Sequence, residues 1–145
     1  MIVFRICKQA HVALDGEGAR SYGGRWNTAG KPAVYTSEHL SLATLEYLVH
    51  VNADNLPTDL VWLEIEVPNK VSITQFAGST APNEIAAATH GDNWLAAGTN
   101  LGLMVPSAVL SVEKNLILNP LHPEMASVKT VRTTAFQFDP RLFQS

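Results

Sequence analysis

The chain predicts an α+β fold, and three observations carry that expectation. Apolar residues alternate with period two through LVWLEIEVP, residues 60–68: Val61, Leu63, Ile65 and Val67 share one face, Trp62, Glu64 and Glu66 the other. Residues 38–50 follow the helical period instead, with Leu42, Ala43, Leu45, Leu48 and Val49 on one broad arc. Strand candidates outnumber helices and do not alternate strictly with them, which argues against a doubly wound sheet.

Taken in order, Ile2, Phe4 and Ile6 alternate with Val3, Arg5 and Cys7 and predict an opening strand. Residues 15–30, DGEGARSYGGRWNTAG, are glycine-rich and read as a structured loop feeding a short strand around Arg25 and Trp26. Ala33–Thr36 reads as another short strand. Ser37 is placed to cap the helix from Glu38 to His50, with Asn52 as its stop. After the 60–68 strand, a helix is expected from Thr80-Ala81-Pro82, with proline in its first turn, to about Thr89. A shorter helix over Asn93–Ala97 ends at Gly98. Strands are expected at Leu103–Ala108, Asn115–Leu118 and Val131–Phe138.

Length and composition bound the class. The 145 residues suit one domain, taken as 1–145, and no linker, repeat or low-complexity segment interrupts them. A chain of this size buries about two thirds of its unfolded surface, enough for a core without disulfides or metals. Hydrophobic residues are 46 % and charged residues 16 %, with a net charge of −3. That balance offers no basic footprint for direct nucleic-acid binding and no polybasic membrane patch. The lone Cys7 cannot form an intrachain disulfide, and the apolar start lacks the pattern of a secretory signal. No apolar run approaches the ~20 residues of a transmembrane helix, so a cytoplasmic setting is expected.

Glu46 is the sharpest chemical feature, because it lies inside the apolar arc of its helix. A carboxylate on the core side needs a cation, hydrogen bonds or an open cavity. A structural ion pair, or a helix turned so that the position is wet, explains it as readily as a functional cleft. Arg25, after Gly23-Gly24, is the natural opposing cation: it would fork onto phosphate or pair with a carboxylate. Arg5 sits mid-strand, where facing solvent is the ordinary explanation. Tyr35 ends its strand just before the Glu46 helix, as core or as a stacking ring with a polar tip. Ser107 follows Pro106 in LMVPSAVL and bonds either backbone or a ligand. The paired glycines lack the spacing of a dinucleotide fingerprint. The histidines (His11, His39, His50, His90, His122) lack ligand spacing, so no metal site is expected.

Several stretches together point further. Arg5, then LDGEGARSYGGRWN (14–27), PAVYTSEHLSLATLEYLVH (32–50), VPS (105–107) and NP (119–120) resemble the RES-domain family of bacterial toxins across nearly the whole chain. The resemblance implies an ADP-ribosyltransferase-like fold, a split mixed β-sheet core with flanking helices around a cleft for NAD. It implies NAD as substrate, with no metal, and cleavage of the nicotinamide–ribose bond by phosphate or water. Transfer to a protein, or binding without catalysis, are the alternatives. It places the site on Arg5, Arg25, Tyr35, Glu46 and Ser107: Glu46, Arg25 and Tyr35 as catalytic, and Arg5, Arg25, Tyr35 and Ser107 against NAD. On this reading Glu46 stabilises the ribosyl cation, the arginines hold phosphate, and Ser107 bonds the ligand or orients a neighbour. The partner it implies is an antitoxin with an Xre-like helix-turn-helix, in a hetero-oligomer that contacts DNA through the antitoxin alone.

Overall fold

The computed structural model describes residues 1–144. Its elements are β1 (Ile2–Lys8), α1 (Glu17–Tyr22), β2 (Val34–Ser37), α2 (Leu40–Leu48), β3 (Leu60–Glu66), β4 (Ile73–Gln75), α3 (Glu84–Ala97), β5 (Gly102–Pro106), β6 (Lys114–Leu118) and β7 (Lys129–Ala135). The strands form one sheet in the order β4-β5-β6-β2-β1-β3-β7. Only the β4–β5 pair is parallel, so the sheet is mixed. The expected α+β class, with a split mixed sheet and flanking helices, is what the chain adopts.

The split lies between β1 and β2. β1 pairs with β3 along its whole length, from Ile2↔Glu66 to Lys8↔Leu60, and β2 with β6 from Val34↔Leu118 to Ser37↔Asn115. The two halves touch through one registered pair, Phe4↔Ser37. Strands that part after a single pair leave a wedge, and their side chains line it. The main core draws on both halves, with Val3, Leu63 and Ile65 from one and Val34, Leu116 and Leu118 from the other. A second cluster packs α3 and Trp26 on Leu103, Val105 and Ile117. A third, around Ile6, Ala43, Leu60 and Phe138, seats α2 on β1 and β3.

Several local expectations are corrected. The segment read as loop contains α1, and the strand expected at Arg25–Trp26 is a tight turn closed by a Gly24↔Asn27 bridge. Ser37 ends β2 and does not cap α2; its hydroxyl is drawn to Asn115, and His39 precedes the helix without a side-chain cap. The α2 arc is also turned: Leu42 and Ala43 are buried, while Leu45 and Val49 are exposed. The two helices expected over 80–97 are one, capped by the side chain of Asn83, which accepts from the Ala86 N–H, so Pro82 lies outside its first turn. β4 was not anticipated, since three residues are too few to show a period. The last strand ends at Ala135 because Phe138 turns into the third core cluster.

Candidate active site

A cavity of about 1050 Å³ opens at the split, walled by Arg5 and Cys7 of β1, Tyr35 of β2, Glu46 and Tyr47 of α2, and the Gly23–Arg25 turn. That is at the top of the ~300–1000 Å³ range of small-molecule sites. Four of the five expected residues (Arg5, Arg25, Tyr35 and Glu46) line it, and Ser107 sits behind the fourth.

Glu46 is half-buried and held by one oxygen. Ser107 donates its hydroxyl to Oε1 at 2.5 Å, and Asn115 donates Nδ2 to the same oxygen at 3.0 Å. Ser107 is 1 % exposed, and its hydroxyl is itself anchored by the N–H groups of Val109 and Leu110, each at 3.1 Å. Ser107 therefore spends its bonds on Glu46 and the backbone. Oε2 accepts no hydrogen bond among the described residues, although two donors crowd Oε1.

The two arginines share a pattern. Arg5 spans the split, donating Nη1 to the Tyr35 carbonyl at 3.4 Å, and Arg25 donates Nη2 to the Pro82 carbonyl at 2.9 Å. In each, Nε is buried without a partner. None of the ion pairs among the described residues includes Arg5, Arg25 or Glu46, so the cation expected beside Glu46 is not paired with it. A buried donor without an acceptor costs about 1–3 kcal/mol. Both side chains line the cleft, and guanidinium suits phosphate oxygens.

Tyr35 binds the Arg25 turn from below. Its hydroxyl donates to Asn27 Oδ1 at 2.6 Å and accepts from the Trp26 N–H at 2.9 Å. Burial above all raises its pKa well beyond the ordinary phenol value, so the hydroxyl stays protonated as a donor. Asn27 turns its amide the other way, to the carbonyls of Ala19, Thr28 and Lys31. Gly24 is required by this contact, since a Cβ there would lie 2.6 Å from the Tyr35 hydroxyl oxygen. On the other wall, burial pushes up the Cys7 thiol and the Tyr47 hydroxyl, and the nearby Arg5 opposes both shifts.

The sequence did not point to Asn115, Ser37 or Asn27 as site residues. Asn27 stood inside the GGRWN block, and Asn115 was visible only as an amide opening an apolar strand. No group of three or more His, Cys, Asp or Glu is placed to hold a metal among the described residues.

Comparison with known proteins gives a consistent picture. The RES domain family model matches residues 2–139. A protein named Toxin Res from Photorhabdus laumondii subsp. laumondii is 38 % identical over 156 aligned residues, covering 100 % of this chain and 99 % of the relative. Another Toxin Res, from Pseudomonas putida, is 38 % identical over 149 residues, covering 99 % and 100 %. A protein named Prs ADP-ribosylating toxin from Sphingobium sp. is 32 % identical over 140 residues, covering 90 % and 87 %. The fold is similar to that of a chain in the crystal structure of the M. tuberculosis MbcT–MbcA toxin–antitoxin complex, with a TM-score of 0.76 over 97 % of this chain and 85 % of that one. At 18 % identity that likeness is one of fold.

Proposed function

This chain belongs to the RES domain family, and on that premise we propose that it is the toxin of a bacterial toxin–antitoxin pair that degrades NAD. The observation that carries this reading is the composition of the cleft: a carboxylate with one anchored and one free oxygen, and two guanidiniums that line it outside any ion pair among the described residues. NAD has the matching chemistry, a bisphosphate joined through ribose to a cationic nicotinamide. The guanidiniums of Arg5 and Arg25 bind the phosphates, and the ring of Tyr35 borders the nicotinamide ribose.

Breaking the nicotinamide–ribose bond releases neutral nicotinamide with the bonding electron pair and leaves oxocarbenium character on the ribose. Glu46, through Oε2, stabilises that charge, more strongly in a cleft of low dielectric than in water. Phosphate or water then attacks the same carbon, giving ADP-ribose phosphate or ADP-ribose. The protein works in the cytoplasm, where NAD is available. A cognate antitoxin with an Xre-like helix-turn-helix restrains it by covering the cleft, and the pair is a hetero-oligomer.

A second reading, transfer of ADP-ribose to a protein, is favoured by the name of the Sphingobium relative. The purified chain incubated with NAD, with and without inorganic phosphate, separates these readings when products are identified by mass spectrometry. Phosphate-dependent loss of NAD means phosphorolysis, and loss without phosphate means hydrolysis. ADP-ribose adducts on cell proteins, with no free product, would move the assignment to protein modification. Glu46→Gln is expected to lower kcat by ~10² or more while NAD binding changes little. Near-wild-type turnover in that variant would remove Glu46 from the chemistry.

A further inference from the structure

We infer that Asn115, oriented by Ser37, is a positioning residue for Glu46: it pins Oε1 so that Oε2 alone faces the ligand. The inference rests on the proposed role of Glu46 in the cleft. Ser37 and Asn115 are cross-strand partners of β2 and β6, so their side chains share a face of the sheet. The Ser37 hydroxyl donates to Asn115 Oδ1 at 2.6 Å, and Asn115 Nδ2 donates to Glu46 Oε1 at 3.0 Å. Ser37 is 4 % exposed, so the start of this relay is shielded from water.

The direction of the relay follows from what each group can donate. A carboxylate only accepts, so the amide must turn its NH₂ toward Glu46, which sends Oδ1 to Ser37. Serine can donate to that oxygen, and here it does. The alternative flip would set an amide oxygen against the carboxylate.

Ser107 supplies the second donor to Oε1, from the chain just beyond β5. One bond alone would leave the carboxylate free to pivot about it. Donors from two segments meeting at one oxygen stop that pivot and set the direction of the other oxygen. Ser37 also forms the single registered pair joining the two halves of the sheet, Phe4↔Ser37. The glutamate is thus referenced to the point where the cleft begins.

The test has two readouts. With glutamate labelled with carbon-13 at the side-chain carboxyl, Glu46→Gln identifies the Glu46 resonance by removing it. Asn115→Ala should shift and broaden that resonance, and Ser37→Ala should do so less. In NAD turnover, Asn115→Ala and the near-isosteric Asn115→Asp should lower kcat about 10- to 100-fold, with KM for NAD changed by no more than about twofold. In a Glu46→Gln background, Asn115→Ala should cost nothing further, because its effect passes through Glu46. An unmoved resonance overturns the inference whether or not NAD is consumed. A raised KM at constant kcat overturns it too, by making Asn115 a ligand contact, as do losses that multiply in the Glu46→Gln background. If the wild-type chain consumes no NAD, the functional reading fails and the resonance alone decides the positioning role.

Discussion

Tyr35 shows how a residue can serve a cleft without offering its polar atom to it. Its hydroxyl is spent on Asn27 and on the Trp26 N–H, which fastens the turn that presents Arg25. Tyr35→Phe keeps the ring and leaves Asn27 Oδ1 and the Trp26 N–H short of a partner, so stability should fall by about 1–3 kcal/mol. Because the turn carries Arg25, the KM for NAD should rise more than kcat falls. Denaturant midpoints and steady-state kinetics check both, and a Phe variant matching wild type in each would mean that the hydroxyl does not hold the turn. The same residue marks how far sequence reading reaches. Tyr35, Arg25 and Glu46 are site candidates by their place in blocks of sequence, yet the partner of the Tyr35 hydroxyl is not legible there. Which hydroxyl meets which amide is settled by packing between segments, and local pattern does not record it.

Among the elements, α3 is the brace of the Arg25 turn. The Pro82 carbonyl, just before the helix, accepts from Arg25. Asp92 in its middle accepts from the Thr28 N–H at 2.9 Å and from the Thr28 hydroxyl at 2.7 Å. Between them, Gly91 lets the helix approach the turn so closely that an added Cβ would lie 1.7 Å from the Trp26 carbonyl oxygen. Gly91→Ala should therefore cost at least the ~1–3 kcal/mol of an overpacked core. It should also weaken NAD binding by displacing Arg25, measurable by unfolding and by titration with NAD. A variant as stable and as tight-binding as wild type would mean that the helix moves without carrying the turn. This glycine also explains why 80–97 reads as two helices in the sequence. Glycine mid-helix costs ~1 kcal/mol against alanine and looks like a break, whereas here contact with Trp26 requires it.

At the scale of the whole molecule, distant segments are stitched by polar contacts between individual residues. Ser72, just before β4, donates its hydroxyl to Glu124 Oε1 at 2.6 Å and its N–H to Oε2 at 3.0 Å. The hydroxyl bond above all holds the Glu124 carboxyl below its ordinary value of 4.5. The folded state therefore favours the ionised form. That contribution is complete above the unfolded value and is lost as pH falls through the lowered folded one. Glu124→Gln should lower the melting temperature at neutral pH and flatten its fall on acidification below pH 4.5; an unchanged acid limb would remove Glu124 from the balance. The sequence by itself determined most of the strands, the helix that carries Glu46 and the family blocks, because these depend on periodicity and on residue type over short spans. Tertiary structure alone decided where the sheet splits, between β1 and β2, the joining of α3 at Gly91, and the choice of Asn115 to hold Glu46 beside Ser107. Strand order and side-chain partners join residues far apart in the chain, 69 positions in the case of Glu46 and Asn115, and such pairings are fixed by what the packed core brings together.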